Sequence, residues 1–470
     1  MSAETPIQLR RAGWRTSLDA AFGETQEALR SARRDRMRTK PRQSHGGLVR
    51  GVSRLEIDLT AVDRNLRVLR EACRREDGSS AKICAVVKAD AYGLGATQVG
   101  HRLEMGGVDM LAVYTPDEAR RLIEAGVMCP ILVMTPVRTV ERADPLYWSI
   151  VNERLHFAVH DEAQVDSLRA SSERLGVRLR LHIELNTGMC RAGMTPEQAT
   201  RAAELMKGHP RLHLAGVYTH FASAQSDADL TQHQAALFRK WRSSAAALLP
   251  EDCIAHQANT CATFRSSDLH LDMVRVGLAV HGFAPMEFQP SEAFDLREHA
   301  ERLTPIARVV SEIVHLAWVE DKQPVGYGAT WVAKGRRRIA VVPVGFADGY
   351  ALALSNKGKV GFELPDGGRL HADVVGRLSM DQMTVDVTDI PESLIGIGAP
   401  VEVVSADRDQ PNSLSRLARL AETRTHEMLC RLGPRLHRVH QSKREPRLVE
   451  PSAGSVPAVR TTARTARAHA

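Results

Sequence analysis

The chain has 470 residues, 25% of them charged and 43% hydrophobic, with a formal net charge of +7 and seven cysteines. Single cores stop growing at roughly 250–300 residues, so this length implies two domains. The net charge excludes a nucleic-acid footprint once it is divided along the chain: residues 1–50 hold 11 Lys/Arg against 5 Asp/Glu and residues 438–470 hold 7 against 2, which leaves −4 for residues 51–437.

Residues 1–50 read as a basic extension, partly disordered, with one possible helix over Leu18–Met37 and a linker from Arg38 to Gly47; Glu4, Asp19, Glu24, Glu27 and Asp35 argue against an organelle address. From Leu55 the pattern alternates. Leu55–Leu59 is strand-like, and Val62, Leu66, Leu69 and Cys73 then recur at helical spacing. Ile83–Lys88 is a strand, Thr97–Met105 a helix and Met110–Tyr114 a strand. Pro116–Ala125 is a helix with proline at its start and Gly126 just past its end. Pro130–Met134, Leu155–Val159, Leu179–Leu185, Leu214–Tyr218 and Ile254–Asn259 follow as strands. This is the grammar of βα units, and eight of them predict an α/β fold of the (β/α)8 TIM-barrel type over residues 51–295. Beyond residue 296 the pattern is strands and turns: Ala307–Trp318, Arg338–Val344, Ala372–Val375, Met383–Val387 and Val401–Val404 predict a mostly β domain over 296–440. Residues 441–470, rich in Pro, Ala, Thr, Ser and Arg, read as a disordered tail.

No stretch approaches the roughly 20 apolar residues that span a bilayer, and no secretory pattern opens the chain, so neither membrane association nor export is expected. The cysteines are scattered with no C-x-x-C pair, which suggests reduced thiols in a cytoplasmic protein. Cys253, His256 and Cys261 form an incomplete ligand set beside a strand and read as core, so no metal is expected.

The chemistry concentrates at strand ends. Lys88 closes the apolar run Ile83-Cys84-Ala85-Val86-Val87 and is followed by Ala89-Asp90-Ala91-Tyr92-Gly93. At the C-terminal end of a barrel strand, a partly desolvated lysine is a candidate amine nucleophile or Schiff-base former; the alternative is a lysine that ends a strand and points into solvent. Glu184-Leu185-Asn186-Thr187-Gly188-Met189-Cys190-Arg191 brings a forked cation to another strand end, although alone it reads more readily as a turn with a solvated arginine. His220, in Tyr218-Thr219-His220-Phe221, follows a third strand.

Val87-Lys88-Ala89-Asp90-Ala91-Tyr92-Gly93 resembles the pyridoxal-phosphate lysine motif of bacterial alanine racemases, fold-type III pyridoxal-phosphate enzymes. The resemblance continues in order through seven motifs between about Leu55 and Arg438. It implies pyridoxal 5'-phosphate as cofactor, carried by Lys88 and contacted at its phosphate by Tyr92. It implies Arg191 at the phenolic oxygen and the substrate carboxylate, and His220 beside the pyridine ring. His256-Gln257-Ala258-Asn259-Thr260 and Met273-Val274-Arg275-Val276-Gly277-Leu278 resemble the phosphate and pyridine contacts, with Asn259, Thr260 and the amides near Gly277 and Leu278 around the phosphate. Several N–H donors rather than one charge suit such a group. Arg275 beside the pyridine nitrogen would keep it unprotonated, weakening the ring as an electron sink and favouring reprotonation over decarboxylation.

Val325-Gly326-Tyr327-Gly328-Ala329-Thr330-Trp331 resembles the segment holding the opposing catalytic tyrosine. Inverting a carbon centre needs acid/base groups on both faces, Lys88 on one and Tyr327 on the other. In the family that tyrosine comes from the partner subunit, so a homodimer is implied. Met380, in Gly376-Arg377-Leu378-Ser379-Met380, corresponds to the residue whose backbone amide binds the substrate carboxylate.

Several positions depart from the family pattern. Glu184 stands where many members have a carbamylated lysine, and its charge is expected to serve Arg191 instead. Asn186 replaces aspartate, Thr260 serine, Phe346 an entry-channel tyrosine, Leu352 an arginine, and His426 a tyrosine on the cofactor phosphate. The expectation is a racemase of alanine. The alternatives are a racemase of another small amino acid such as serine, a decarboxylase or lyase on the same fold, and a non-catalytic cofactor-binding homologue.

Overall fold

A computed structural model of the protein describes residues 51–284 and 294–442. The expectations for residues 1–50 and for the tail beyond 442 lie outside the described residues.

Eight parallel strands close a barrel: β2 (Lys82–Val86), β3 (Met110–Val113), β4 (Ile131–Val133), β5 (Leu155–Val159), β6 (Leu179–Glu184), β7 (Leu212–Tyr218), β8 (Ile254–His256) and β9 (Met273–Val276), with β9 pairing back onto β2. Their near-continuous apolar runs suit strands buried on both faces. Short β1 (Arg54–Asp58) is not among them. It pairs with β10 (Ala307–Glu312) and β19 (His437–Gln441) in a second sheet, which corrects the expectation that Leu55–Leu59 opens the barrel. The physical reason is legible in the residues: Leu55 and Ile57 are buried while Glu56 between them binds Arg54 at 2.6 Å and Arg308 at 2.7 Å. That period-2 alternation belongs to a sheet with two unlike faces. The eighth barrel strand is instead Met273–Val276, read from the sequence only as a ligand-contact segment.

The second sheet has nine strands. Along the chain after β10 come β11 (His315–Val319), β12 (Pro324–Val325), β13 (Trp331–Val332), β14 (Arg337–Val342), β15 (Lys359–Glu363), β16 (Arg369–Val374), β17 (Met383–Asp386) and β18 (Pro400–Val404), with β12 and β13 forming a separate ribbon. The order across the sheet is β11-β14-β17-β16-β15-β18-β10-β1-β19. The expected single strand Ala307–Trp318 is broken at Ile313-Val314. There the chain changes partners, Ile313 N donating to Ala399 O and Val314 N to Val341 O.

Local signals set the helix starts. Asp58 accepts from Thr60 N at 2.8 Å to open Leu59–Ala72, and Thr115 and Glu118 form a reciprocal box that opens Pro116–Glu124, each cap contributing about 1 kcal/mol. Glu118 also carries function outward: its other oxygen accepts from Ala89 N at 2.7 Å, tying the loop after β2 to the next βα unit.

Candidate active site

The C-terminal ends of β2, β6, β7, β8 and β9 carry Lys88, Arg191, His220, Thr260 and Arg275 respectively, all at the barrel mouth where this fold places chemistry. The segment after Lys88 is not an ordinary turn. Ala89, Asp90, Ala91 and Tyr92 all have φ between 52° and 58°, and Gly93 follows at 83°. Four consecutive non-glycine residues in the left-handed region cost about 1 kcal/mol or more each, so the surroundings must hold them. They do so through Ala91 N to Val87 O at 2.8 Å, Gly95 N to Asp90 O at 2.9 Å, Ala96 N to Asp90 Oδ1 at 2.8 Å, and the Glu118 contact.

This turn delivers Tyr92 to the β9 end. A Cβ built on Gly277 would lie 2.3 Å from Tyr92 Oη, so glycine there leaves room for the phenol. The Tyr92 ring meets His281 edge-on at 4.8 Å, and burial raises the phenol far above its ordinary range, keeping it a donor. Thr260 Oγ1 accepts from Gly277 N at 3.2 Å and Ala279 N at 3.4 Å. A tyrosine hydroxyl, a threonine hydroxyl and backbone amides thus converge on one glycine, a donor set that fits a phosphate. The Asn259 side-chain oxygen caps the helix Thr260–Arg265 by accepting from Ala262 N at 3.0 Å. His426 and Cys430, one turn apart on the helix Thr425–Arg431, lie where that helix packs on the Lys88–Gly93 turn, a Cβ on Gly93 meeting Leu429 O at 3.0 Å. Burial and then Arg424 hold His426 below the usual imidazole range.

Lys88 is half-buried, and its ammonium is disfavoured first by desolvation and then by Arg191. Arg275 is buried. Its Nη1 donates to His256 Nδ1 at 2.9 Å and to His256 O at 3.0 Å, and its Nη2 donates to Thr219 O at 2.8 Å and His220 Nδ1 at 3.3 Å. Because a guanidinium only donates, His220 presents a lone pair at Nδ1 and carries its proton on Nε2. Burial, then Arg275 and Arg191, push His220 down to about 3, so it is neutral. No carboxylate is ion-paired with Arg275 among the described residues. The guanidinium lies instead 4.9 Å from the centre of the Tyr218 ring, which stacks on His256 at 4.9 Å.

Tyr218 and His160 were not singled out by sequence reasoning, yet they decide what Glu184 does. Glu184 Oε2 accepts from Tyr218 Oη at 2.9 Å and lies 2.8 Å from His160 Nδ1. Glu184 and Arg191 form no ion pair, which corrects the expectation that the glutamate's charge serves Arg191: the glutamate side chain is shorter than a carbamylated lysine and is held between the ends of β5 and β7. Arg191 is exposed, at the end of a loop shaped by Asn186, whose Oδ1 accepts from Gly188 N and Cys190 N at 3.0 Å each.

In the β domain, separate motifs converge. Gly326 approaches Arg377 N, Gly345 packs on the Met380 carbonyl, and Phe346 N donates to Ser379 O at 3.2 Å, so Tyr327, Phe346 and Met380 stand on neighbouring loops. Asp348 fixes this group, accepting from Gly345 N at 2.9 Å and from Arg435 at 2.8 and 2.9 Å. Tyr327 is 70% exposed, Met380 55%, Leu352 48% and Phe346 42%. No hydrogen bond links the Tyr327 hydroxyl to the Lys88 group within this chain.

A parallel barrel with a desolvated lysine, two arginines and a neutral histidine at its mouth, followed by a β domain, defines an enzyme scaffold. Residues 57–285 match the family profile described as "Alanine racemase, N-terminal domain" and residues 306–440 that described as "Alanine racemase, C-terminal domain". An alanine racemase of Desulfovibrio desulfuricans is 32% identical over 82% of this chain and 97% of its own length, and that of Hahella chejuensis 33% over 84% and 99%. Among solved structures, the alanine racemase of Streptomyces coelicolor aligns with TM-score 0.71 at 29% identity, covering 83% of this chain and 98% of that one. The chain belongs to the alanine racemase family.

Proposed function

We propose that the protein interconverts L- and D-alanine with pyridoxal 5'-phosphate, using Lys88 and Tyr327 as the two acid/base groups. The observation that carries this reading is buried Arg275, held by His256, His220 and Thr219 with no carboxylate ion-paired to it among the described residues. A group that only donates, placed at the pyridine end of the site, suits racemisation better than decarboxylation or elimination. The cofactor, when bound, supplies a conjugated ring that makes the substrate α-C–H acidic. Tyr92, Thr260 and the Gly277 amide would hold its phosphate, with His426 beside them. Lys88 would carry it and, with its ammonium disfavoured by burial, act as the proton acceptor on one face. Arg191, free of Glu184, is available to a substrate carboxylate, with the Met380 amide as a second donor. Tyr327 takes the other face from a partner subunit: its 70% exposure on a β-domain loop suits a residue presented to a second copy, so we read the protein as a homodimer.

The test is α-proton exchange in deuterated water with purified protein, pyridoxal phosphate and L- or D-alanine, read by NMR with chiral analysis. Exchange with inversion supports the proposal. Bound cofactor without exchange on any amino acid rejects it. Phe346 and Leu352, exposed where the family has a tyrosine and an arginine, favour one second reading, a racemase of another small amino acid such as serine. Faster inversion of serine than of alanine would select it.

A further inference from the structure

Three buried histidines run in line through the barrel interior beneath Arg275. His156 on β5, His182 on β6 and His256 on β8 are exposed by 6%, 0% and 0%. His256 Nε2 is 3.0 Å from His182 Nδ1, and His182 Nε2 is 2.9 Å from His156 Nδ1. The strands make room for them: a Cβ on Gly216 of β7 would lie 2.3 Å from His182 Nδ1. At the far end His156 lines a cavity of about 640 Å³ at the N-terminal mouth of the barrel, together with Lys82, Asp109, Glu153 and Arg180.

Donor logic fixes the whole series. Arg275 Nη1 can only donate, so His256 Nδ1 accepts and its proton sits on Nε2; that proton is donated to His182 Nδ1, whose own Nε2 proton is donated to His156 Nδ1. All three rings therefore hold the same tautomer, with every imidazole dipole turning its negative end towards the guanidinium. Burial pushes His156 down to about 3 and the other two well below the imidazole range, so all three are neutral. A buried cation without an ion-paired carboxylate needs such compensation, and aligned hydrogen bonds strengthen one another in a low-dielectric interior.

We propose that His256, His182 and His156 are positioning residues that hold Arg275 charged and oriented from the opposite end of the barrel. The proposal rests on the pyridoxal-phosphate reading above only in taking Arg275 to face the cofactor.

The direct test is NMR of the histidine-labelled (15N) holoenzyme. Three imidazoles protonated at Nε2, with protons protected from solvent exchange, are expected; an Nδ1–H tautomer at any of the three overturns the assignment. The functional arm compares His182→Phe, His156→Phe and His156→Asn, the last keeping an acceptor where His182 Nε2 donates. Both phenylalanine variants should weaken pyridoxal-phosphate binding by about tenfold and shift the bound cofactor's absorbance maximum, whereas His156→Asn should recover the wild-type maximum. If His156→Phe lowers the melting temperature but leaves affinity and absorbance unchanged, the chain is only packing and the proposal fails. Should the wild-type protein exchange no α-proton, the racemase reading fails while the tautomer and absorbance results still decide this one.

Discussion

The Tyr218 hydroxyl donates to Glu184 Oε2 at 2.9 Å, and the same oxygen lies 2.8 Å from His160 Nδ1. Burial by itself would raise the Glu184 carboxyl, but the His160 and Tyr218 contacts and the Arg275 charge together hold it below its ordinary value. A carboxylate depressed in the folded state contributes stability above its unfolded pKa and loses it as pH falls through the folded value. Glu184→Gln should therefore lower stability by about 1–3 kcal/mol at neutral pH, a difference that shrinks below about pH 4.3. Denaturant titrations at pH 7 and pH 3.5 check it; an equal loss at both pH values would show that shape, not charge, is at stake.

Lys88→Ala should leave no cofactor fixed to the protein after borohydride reduction, read by intact mass, and should abolish exchange. Burial and then the Arg191 charge disfavour the Lys88 ammonium, so removing that charge restores it. Arg191→Gln should accordingly move the pH midpoint of covalent cofactor capture upward. A downward shift would mean that Arg191 acts on Lys88 by some route other than its charge.

Tyr327→Phe should cost about 10²- to 10⁴-fold in turnover and do so unequally, suppressing proton removal from one enantiomer of alanine more than from the other. Deuterium wash-in measured separately from L- and D-alanine gives the ratio. Equal suppression would remove Tyr327 from its assigned face.

Gly277→Ala should be disproportionately harmful for one methyl group. The added Cβ would meet Tyr92 Oη at 2.3 Å, and the phenol is walled in by His281, so either the ring or the β9 loop must move. A stability loss of about 1–3 kcal/mol with at least tenfold weaker cofactor binding is expected. Fluorescence titration and thermal melts read the two separately.

Ala89→Gly should reverse the usual sign for loss of a methyl group. Ala89 is exposed with φ at 52°, so glycine relieves about 1 kcal/mol of left-handed strain while adding freedom to the unfolded chain. The net change should be neutral or stabilising by at most about 1 kcal/mol, against the ordinary penalty for glycine, as chemical denaturation will show.

The amino-acid sequence by itself determined the alternation of barrel strands and helices, the change to β structure after about residue 300, and the placing of Lys88, Arg191 and His220 at or beside strand ends; that Arg275 stands on a barrel strand came only from the structure. These follow from local periodicity and from short motifs, which carry their information within a few residues. The sequence did not disclose that β1 leaves the barrel for the second sheet, because strand pattern says little about which partner a strand finds, although the alternation around Glu56 was a usable signal. Nor did it show the left-handed turn at Ala89–Tyr92, since three of those four residues ordinarily avoid that conformation and surrounding hydrogen bonds impose it. Glu184 was legible as an anion, but its choice of Tyr218 and His160 over Arg191 depends on reach across adjacent strand ends. The line from Arg275 to His156 joins residues 119 positions apart in the sequence. Only closure of the barrel brings β5, β6, β8 and β9 around one interior, and so only the tertiary structure could turn four separate polar residues into a single hydrogen-bonded series.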